Sequence, residues 1–426
     1  MSNSPLYAGV DLGTSGVRIV VIDAQDRTVA ESRNLFAEYG DNHRDPGCWT
    51  QALSACFSSI LQKVSSDDIV AISIDGTSGT MLALDEEGRP VREPLMYNDA
   101  CSDNNVLSII ASVAPADSAA HGASSALARA IKLQDAVGTK QLLHQADWAS
   151  GLLSGRFDTT DENNALKTGY DPIERQWPEW LSRTGVRLEL LPSVTEPGSP
   201  IAHCEGQLAQ QVGLSKKTIV VAGTTDGCAS FLATGADNVG DGVTALGSTL
   251  TIKMLSDRPI FSPEYGIYSH RMPGGWLAGG ASNTGGNVIA EFFDAGEIEA
   301  HSSALDPLTE TGLNFYPLLK AGERFPHNDS QFQPIMEPRP DSDLTFFKAI
   351  LEGISTIERT GFDRLHQLGS PRLASMRTVG GGAANNAWMQ MRQARLKVPF
   401  EKAHSEEAAF GTARLAKVGA SGGAGT

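Results

Sequence analysis

The sequence lacks the features that mark several large classes of protein. Its 426 residues include five cysteines, an odd number with no CxxC pair, so we expect no disulfide framework and favour a reducing cytoplasm. The nine histidines show no HxxxH or HExxH spacing, which argues against a zinc site. No run approaches the length of about 18 apolar residues that spans a membrane. The first residues have neither the basic nor the apolar region of a signal peptide.

Positive charge is also scarce. The chain has 34 Lys and Arg against 50 Asp and Glu, a net charge of −16. An acidic surface repels nucleic acid and anionic membranes, so we expect neither as a partner. The chain has no Gly-Lys dipeptide and therefore no Walker A loop. The segment GDGVTA at 240–245 leads into a strand pattern rather than the helix of a dinucleotide site. An anionic ligand must then be held by backbone N–H groups, a few cations or a metal ion.

Glycine, by contrast, is abundant, and many of the 44 glycines lie in short polar loops between apolar runs. Residues 6–23, 69–85 and 243–255 each read as a strand, a small polar tip and a second strand, which predicts β-hairpins. The first two tips share the sequence Gly-Thr-Ser-Gly. Each follows an aspartate, Asp11 or Asp75, at the end of the first strand.

Helical periodicity fills the stretches between these units. Apolar residues at helical spacing predict helices at 50–64, 124–146, 287–300 and 344–367. Residues 219–234 and 376–397 each read as strand, glycine loop and helix. The length allows two to three domains of about 150 residues each. The recurring order of elements predicts an α/β unit that occurs twice, rather than one doubly wound sheet.

The first tip, VDLGTSGVR at 10–18, has the composition of an anion site. Successive N–H groups in a turn of small residues can cradle a phosphate. Asp11 would repel a bare phosphate, so the site makes sense only with a divalent cation between them, and Arg18 would neutralise a terminal phosphate. An ordinary tight hairpin explains the same residues about equally well.

The loop AGTTDGCAS at 222–230 places Asp226 where a helix begins. A helix N-cap is a common use of aspartate, and by itself it is about twice as probable as the alternative, a general base facing a ligand. The residues alone leave both interpretations open.

The loop VGGGAANN at 379–386 follows a strand and precedes a helix. Close packing of helix on strand would explain one or two glycines. Three in a row remove more side chains than packing usually needs, which favours a flat ligand lying on the backbone.

Taken together, five segments resemble the FGGY carbohydrate kinases of the sugar kinase, actin and Hsp70 superfamily. In chain order they are DLGTSGVR, IDGTSGT, GTTDGCAS, LGST and GGGAANN, and the match runs from about residue 7 to about residue 416. The resemblance implies an α/β fold of two ribonuclease-H-like (actin-like ATPase) domains flanking a deep cleft. It implies a sugar-binding domain of residues 1–233, rejoined by a C-terminal helix at about 407–418, and a nucleotide-binding domain of residues 234–406. Residues 419–426 are expected to form a disordered tail.

The resemblance also assigns roles to particular residues. Asp226 matches the catalytic base that removes the proton from the attacking sugar hydroxyl, and Asp11 matches the residue that positions Mg²⁺. The implied sugar contacts are Asp11, Asp75, Thr77, Ser78, Asp99 and Asp226. The implied contacts to ATP and its phosphates are Gly13, Thr14, Ser15, Arg18, Gly247, Ser248, Thr249, Gly280, Asn283, Asn287, Gly381 and Asn385.

The implied activity is phosphorylation of a ketopentose by ATP with Mg²⁺. Xylulokinases usually carry Met-His where this chain has Thr77-Ser78, which favours D-ribulose over D-xylulose as the sugar. Three alternatives stay open: an actin-like or Hsp70-like ATPase, a non-catalytic sugar sensor, and a kinase for another polyol such as glycerol. The expected partners are the small-molecule sugar and ATP, in a monomer or a homodimer.

Overall fold

The computed structural model describes residues 4–422, which divide into two compact units. Unit 1 runs to Ala233 and also takes His270–Pro273 and the chain from Glu407 onward. Unit 2 holds Thr234–Ser269 and Gly274–Glu406. The chain therefore returns to unit 1 twice after first leaving it.

Both units mix strands and helices. The strands are β1 Leu6–Leu12, β2 Gly16–Ile22, β3 Thr28–Leu35, β4 Ile69–Gly76, β5 Met81–Leu84, β6 Gln141–His144, β7 Thr159–Asp161, β8 Ser193–Thr195, β9 Pro200–His203, β10 Ile219–Thr225, β11 Asp241–Leu246, β12 Leu250–Ser256, β13 Tyr268–Met272, β14 Gly275–Ala281, β15 Ser375–Val379 and β16 Phe400–Glu401. The helices are α1 Pro46–Leu61, α2 Asn104–Val113, α3 Ala126–Leu133, α4 Gln145–Ser154, α5 Glu162–Thr168, α6 Gln207–Val212, α7 Asp226–Ala233, α8 Gly286–Phe292, α9 Ala295–Ala304, α10 Asp343–Gln367, α11 Asn386–Leu396 and α12 Ala408–Gly422. None of the helices between residues 4 and 422 has the length and apolar character needed to cross a bilayer.

The main sheet of unit 1 has the strand order β3-β2-β1-β4-β10-β9. The predicted hairpin at its centre is confirmed, because β1 and β2 pair antiparallel with Tyr7 opposite Ile22. Strands β1, β4 and β10 run parallel to one another. Their carboxyl ends therefore meet at one edge of the sheet, where open α/β sheets bind ligands.

The second predicted hairpin, at 69–85, is wrong. Strand β4 pairs on one side with β1 and on the other with β10, so neither of its edges is left for β5. Strand β5 instead pairs antiparallel with β6, in a separate two-stranded sheet. The tip at 76–79 thus connects two sheets rather than two strands of one sheet.

The last helix, α12, packs directly on the main sheet of unit 1. A Cβ on Gly9 of β1 would lie 2.1 Å from the Ala409 carbonyl oxygen, so only glycine allows this approach. The helix continues through Gly419, which is buried, to Gly422. The prediction of a disordered tail is wrong for residues 419–422, because they continue α12 and Gly419 packs against Gly198 and Val221. Residues 423–426 lie outside the described part of the chain.

Unit 2 repeats the arrangement of unit 1. Strands β14, β12 and β11 pair antiparallel, and β15 and β16 extend the sheet in parallel to β11. The predicted hairpin at 243–255 is confirmed by the pairing of Leu246 with Leu250. The predicted strand, glycine loop and helix at 376–397 are confirmed as β15, a short 3-10 turn at Gly381–Ala384, and α11. The predicted twice-occurring α/β unit is thus the observed architecture.

Helix boundaries differ from the predictions where capping residues decide them. Helix α1 begins at Pro46, four residues before the expected start, because Asp45 accepts a hydrogen bond from the Gly47 N–H. The single helix expected at 287–300 is two helices, since Asp294 begins a new one with a capping box. The long α10 follows the prediction closely.

The segment 124–146 was expected to be one helix and is three elements instead. Helix α3 ends at Leu133, and Gly138, with φ of 89°, turns the chain into β6. Strand β6 pairs with the edge of β5, and α4 follows it immediately. The tertiary pairing partner overrides the helical periodicity of this stretch.

Candidate active site

Three aspartates predicted from the sequence lie at the carboxyl ends of adjacent parallel strands. Asp11 of β1 and Asp75 of β4 are direct partners in the strand register. Asp226 follows β10 as the first residue of α7. All three belong to unit 1. Thr225, the residue before Asp226, pairs with Gly76, the residue after Asp75, so the strand register brings the three aspartates to the same edge of the sheet.

A bulge in β10 sets the position of Asp226. Between Val221 and Thr224, β10 advances three residues while β4 advances two. At the extra residue, a Cβ on Gly223 would lie 1.7 Å from the Ile74 carbonyl oxygen, so this position requires glycine. Such bulges re-aim side chains beside active sites. The glycine that precedes the Thr-Thr-Asp sequence thus has a geometric reason.

Asp75 is fully buried. Burial raises the pKa of its carboxyl well above the usual value, and the negative charge of Asp11 raises the pKa further. One oxygen accepts a hydrogen bond from Thr412 of α12. The other oxygen, Oδ1, is buried and has no hydrogen-bond partner among the described residues.

Asp11 has an intermediate character. Burial raises the pKa of its carboxyl to about 6, and the charge of Asp226 contributes in the same direction. The positive charge of Arg18 acts in the opposite direction. The Asp11 carboxyl therefore changes its charge slightly below neutral pH. A cation or a phosphate bound beside it would shift this protonation equilibrium.

The sequence left two interpretations of Asp226, as a helix N-cap and as a general base, and its surroundings bear on both. Its Oδ1 accepts a hydrogen bond of 2.7 Å from the N–H of Gly227, a local contact at the start of α7. Its side chain is only partly buried, and it lies beside Asp11 and Asp75. A role of Asp226 as a general base stays a prediction.

The first glycine tip holds its predicted residues together at the end of the β1–β2 hairpin. The Gly13 N–H donates to the Gly16 carbonyl oxygen over 3.0 Å, which closes the turn. Thr14 and Ser15 are exposed at the tip. The guanidinium of Arg18 forms an ion pair with Glu407, at the start of the returning C-terminal segment.

The second tip separates its two hydroxyl residues. Thr77 is buried, and its hydroxyl contacts Thr80 Oγ1 at 2.6 Å and Gln145 Oε1 at 2.8 Å. Ser78 is partly exposed. Of this predicted pair, Thr77 is bound within the loop, and a contact of Ser78 with a sugar stays a prediction.

The carboxylate of Asp99 also accepts hydrogen bonds from other groups of the protein. Arg44 donates two hydrogen bonds, of 2.7 and 2.8 Å, to its two carboxylate oxygens, and the Met96 N–H adds a third. Burial acts to raise the pKa of Asp99, but these hydrogen bonds outweigh it and the pKa lies below its usual value. Asp99 is thus a permanent anion paired with Arg44.

Several side chains that support this site carried no signal in the sequence. Gln145 of α4 is fully buried, and its Oε1 accepts from the N–H and hydroxyl of Thr77. Arg129 of α3 is buried and donates to the carbonyl oxygens of Gly79 and Tyr97. Thr412 reaches Asp75 from a position 337 residues further along the chain. No local motif predicts contacts of this kind; only the tertiary fold reveals them.

In unit 2, two of the predicted glycine loops converge. The tip of the β11–β12 hairpin is Gly247-Ser248-Thr249, and Gly247 and Ser248 are exposed. The N–H groups of Gly286 and Asn287, at the start of α8, donate to the Gly247 and Ser248 carbonyl oxygens over 2.9 and 3.1 Å. Helix α8 therefore begins directly against the hairpin tip.

The triple-glycine loop lies beside the same tip. Gly380 has a φ of 85°, and a Cβ there would lie 2.9 Å from the Leu246 carbonyl oxygen. Gly382 packs equally closely, since a Cβ would lie 2.6 Å from the Leu246 Cβ. Nothing lies within 4 Å of a Cβ built on Gly381. Packing thus explains the first and third glycines, and the middle one faces open space.

The other predicted nucleotide residues of unit 2 have structural partners. Asn283 accepts from Arg324 Nε at 2.7 Å and donates to the Gly322 carbonyl oxygen at 2.9 Å. Asn385 caps α11 by accepting from the Trp388 N–H, and its Nδ2 donates to Ser302. A Cβ on Gly280 would lie 2.4 Å from the ring of Phe325, so packing accounts for this glycine. A contact of these residues with nucleotide stays a prediction.

No group of three or more His, Cys, Asp or Glu side chains suited to a metal ion occurs between residues 4 and 422. Mg²⁺ commonly binds through one or two carboxylates together with water and substrate phosphates, and needs no complete protein cage. Asp11, a carboxylate whose pKa is raised by burial and by Asp226, is a donor that a cation would stabilise. The residues present fit a magnesium ion carried in with a phosphate ligand.

Two repeated α/β units, a cluster of aspartates at the strand ends of one and converging glycine loops in the other agree with what the resemblance to sugar phosphotransferases implies. Residues 6–118 match the N-terminal domain of the FGGY family of carbohydrate kinases, and residues 239–420 match its C-terminal domain. The chain belongs to this family.

Individual relatives are distant but cover nearly the whole chain. A xylulose kinase of Lactococcus lactis subsp. lactis is 24% identical over 417 residues, which cover 90% of this chain and 81% of the relative. A crystal structure from Brucella ovis, described as a xyloylose kinase, has a TM-score of 0.85 at 23% identity and covers 98% of this chain and 91% of its own. Plasmodium falciparum glycerol kinase with ADP has a TM-score of 0.81 at 15% identity, with coverage of 98% and 90%. The two structures show the shared actin-like ATPase fold.

Proposed function

We propose that this protein transfers the terminal phosphoryl group of ATP to the 5-hydroxyl of a ketopentose, with D-ribulose preferred. In the reaction, the sugar O5 forms a bond to the γ-phosphorus, and the bond from this phosphorus to the β,γ-bridging oxygen breaks. ADP leaves, and the proton of the sugar hydroxyl passes to a carboxylate. The observation that carries the proposal is the placement of Asp226 beside Asp11 and Asp75 at one edge of the sheet.

Asp226 is the general base in this proposal. It is partly exposed, whereas Asp75 is fully buried and burial raises the pKa of its carboxyl well above the usual value. A fully buried carboxyl is poorly placed to meet a sugar hydroxyl, which leaves Asp226 and Asp11 as acceptors. Asp11 precedes the glycine tip where the phosphate would lie, so Asp226 is the acceptor for the sugar hydroxyl. A positioned base contributes a factor of roughly 10²–10⁴ to such a transfer.

Asp11 would hold the magnesium ion together with the nucleotide phosphates. When bound, Mg²⁺ neutralises the charge that develops on the phosphoryl oxygens. Thr14 and Ser15 at the exposed hairpin tip would position the transferred phosphate. Arg18 would contact the phosphate only by exchanging its ion pair with Glu407 for one with the ligand.

The nucleotide would bind to unit 2. Its phosphates would lie at the exposed tip Gly247-Ser248-Thr249, and its adenosine would lie on the backbone at Gly381. The open space around Gly381 supports this placement, because its neighbours Gly380 and Gly382 are fixed by packing.

The choice of sugar rests on the second tip. Ser78 is small, polar and partly exposed, and Thr77 is held inward by Gln145. The similarity to enzymes named xylulose kinase supports a ketopentose and makes D-xylulose the second candidate. We place the protein in the cytoplasm, where its sugar and ATP would be found.

The replacement Asp226→Asn tests the proposed base. Asparagine caps helices about as well as aspartate, so we expect an unchanged melting temperature and intact ATP binding. Turnover with the sugar should fall by roughly 10²-fold or more, because the amide cannot accept the proton. Asp294→Asn, at the capped start of α9, is the matched control and should leave turnover unchanged. An Asp226→Asn protein that kept more than about a tenth of normal turnover would overturn the base assignment.

A further inference from the structure

The side chain of Asn163 joins two backbone segments that are distant in sequence. Its Nδ2 donates to Thr224 Oγ1 over 2.9 Å and to the Arg271 carbonyl oxygen over 2.8 Å. Its Oδ1 accepts from the Arg271 N–H at 2.8 Å. Asn163 is fully buried, and its bond to Thr224 forms away from water.

One end of this connection lies next to Asp226. Thr224 stands two residues before Asp226, directly after the bulge at Gly223. The regular ladder between β10 and β4 is interrupted at the bulge and resumes only at Thr224. The hydrogen bond from Asn163 therefore fixes the strand at the place where its backbone pairing is weakest.

The other end lies on the four-residue excursion of the chain into unit 1. Arg271 belongs to His270–Pro273, which unit 1 takes from within the sequence of unit 2. The Arg271 guanidinium also forms hydrogen bonds of 3.1 and 2.8 Å with Glu196 Oε1. Both the main chain and the side chain of this residue are thus bound to unit 1.

Asn163 itself is held firmly. It is the second residue of α5, whose N-cap Asp161 accepts hydrogen bonds from the N–H groups of Asn163 and Asn164. Asp161 is fully buried. The amide of Asn163 therefore starts from a fixed backbone, as a positioning group requires.

We propose that Asn163 is a positioning residue for the phosphoryl transfer, acting through Thr224 on the placement of Asp226. The proposal rests on the proposed function, in which Asp226 is the base. Asn163 touches no reacting atom in this account. It orders the β10–α7 junction and ties that junction to the returning segment 270–273.

The test compares Thr224→Val with Thr224→Ser. Valine has the shape of threonine but no hydroxyl to accept the Asn163 hydrogen bond, and serine keeps that hydroxyl. We expect Thr224→Val to lower kcat by about tenfold with an unchanged KM for ATP, because small displacements of a catalytic group are costly. Thr224→Ser should stay close to the unmodified protein. Asn163→Ala combined with Thr224→Val should be little worse than Asn163→Ala alone, since both remove the same hydrogen bond.

Amide hydrogen exchange supplies a readout that does not depend on activity. In Thr224→Val, exchange should become faster at residues 226–228 and remain unchanged in unit 2. Equal kcat for the valine and serine variants, or unchanged exchange at 226–228, would overturn the proposal. A loss of melting temperature with parallel changes in kcat and both KM values would also overturn it, by showing a purely structural role. If Asp226→Asn retains turnover, the proposed base fails, while the exchange result still decides whether Asn163 orders the junction.

Discussion

Adjacent glycines in the loop Gly380-Gly381-Gly382 have different reasons to be glycine. The outer two pack against Leu246, and Gly380 has a φ of 85° that other residues rarely adopt. Gly381 has neither constraint. A residue that neither backbone conformation nor packing requires to be small points to a ligand.

This contrast predicts the effect of Gly381→Val. The side chain would project into open space, so the melting temperature should be unchanged, while the KM for ATP should rise more than the KM for the sugar. Gly382→Val is the contrasting variant: its Cβ would meet Leu246 at 2.6 Å, so it should lower the melting temperature. Equal effects of Gly381→Val on both KM values would remove Gly381 from the nucleotide site.

The charge of Asp11 predicts a pH dependence of stability. Its pKa is raised from 3.8 to about 6 in the folded protein, chiefly by burial. Between these values the folded state binds more protons than the unfolded state, so the Asp11 contribution to stability falls as pH rises through this window. Asp11→Asn should therefore raise the melting temperature near neutral pH, with little gain at about pH 4.

Activity should respond to Asp11→Asn in the opposite direction to stability. The variant should lose sugar-dependent turnover, because an amide is a poor Mg²⁺ ligand. Asp117→Asn, at an exposed position, should change neither property. An Asp11→Asn protein that was less stable near neutral pH would contradict the assigned burial cost of this carboxylate.

At the level of residues, the sequence predicted which side chains lie close together. It predicted their pKa values and their orientations less well. The aspartates at the strand ends were identifiable because two strand patterns end at Asp11 and Asp75, and a helix pattern begins at Asp226. The raised pKa values of Asp11 and Asp75 were not identifiable, since burial and the repulsion between carboxylates depend on the tertiary fold. The inward turn of Thr77 likewise depends on Gln145, which no motif marks.

Among elements, a buried ion pair joins the parts of unit 2 that carry the glycine loops. Arg392 of α11 forms hydrogen bonds of 2.7 and 2.6 Å with both oxygens of Glu358 on α10. Thr244 of β11 donates to Glu358, and Arg392 donates to Thr378 of β15 over 2.9 Å. Strand β11 leads to the loop at Gly247, and β15 leads to the loop at Gly380.

Breaking this ion pair should lower both the stability of the protein and its affinity for nucleotide. The double variant separates the two effects. Arg392→Met leaves the Glu358 carboxylate buried without its partner, which should destabilise the protein by about 3–5 kcal/mol. Adding Glu358→Leu should recover most of that stability, since apolar replacements of buried pairs are often neutral. The double variant should still bind ATP more weakly, because the two loops lose their common anchor. Calorimetry and ATP titration check both expectations, and unchanged affinity in the double variant would rule out a positioning role.

Element patterns were predictable where both partners are close in sequence. The β1–β2 and β11–β12 hairpins and α10 follow directly from local apolar spacing and turn residues. The pattern at 69–85 is equally clear as strand, tip and strand. It failed as a hairpin because strands from residues 6–12 and 219–225 occupy both edges of β4.

For the molecule as a whole, the recurrence of α/β elements was enough to predict a repeated architecture. The path of the chain through the two units was harder to predict from the sequence. The excursion of His270–Pro273 into unit 1 spans four residues and has no compositional signal. Its physical basis is the set of contacts from Asn163 and Glu196 to Arg271, which only the folded structure supplies.

The most direct test of the account is ADP release from Mg-ATP, measured with and without a panel of D-ribulose, D-xylulose, L-ribulose and glycerol. A kinase that uses a sugar hydroxyl as its acceptor requires that sugar for turnover. We predict that release depends on a ketopentose, is fastest with D-ribulose, and stops when a chelator removes Mg²⁺. Equal ADP release in the presence and absence of every sugar would contradict the account and indicate an ATPase instead.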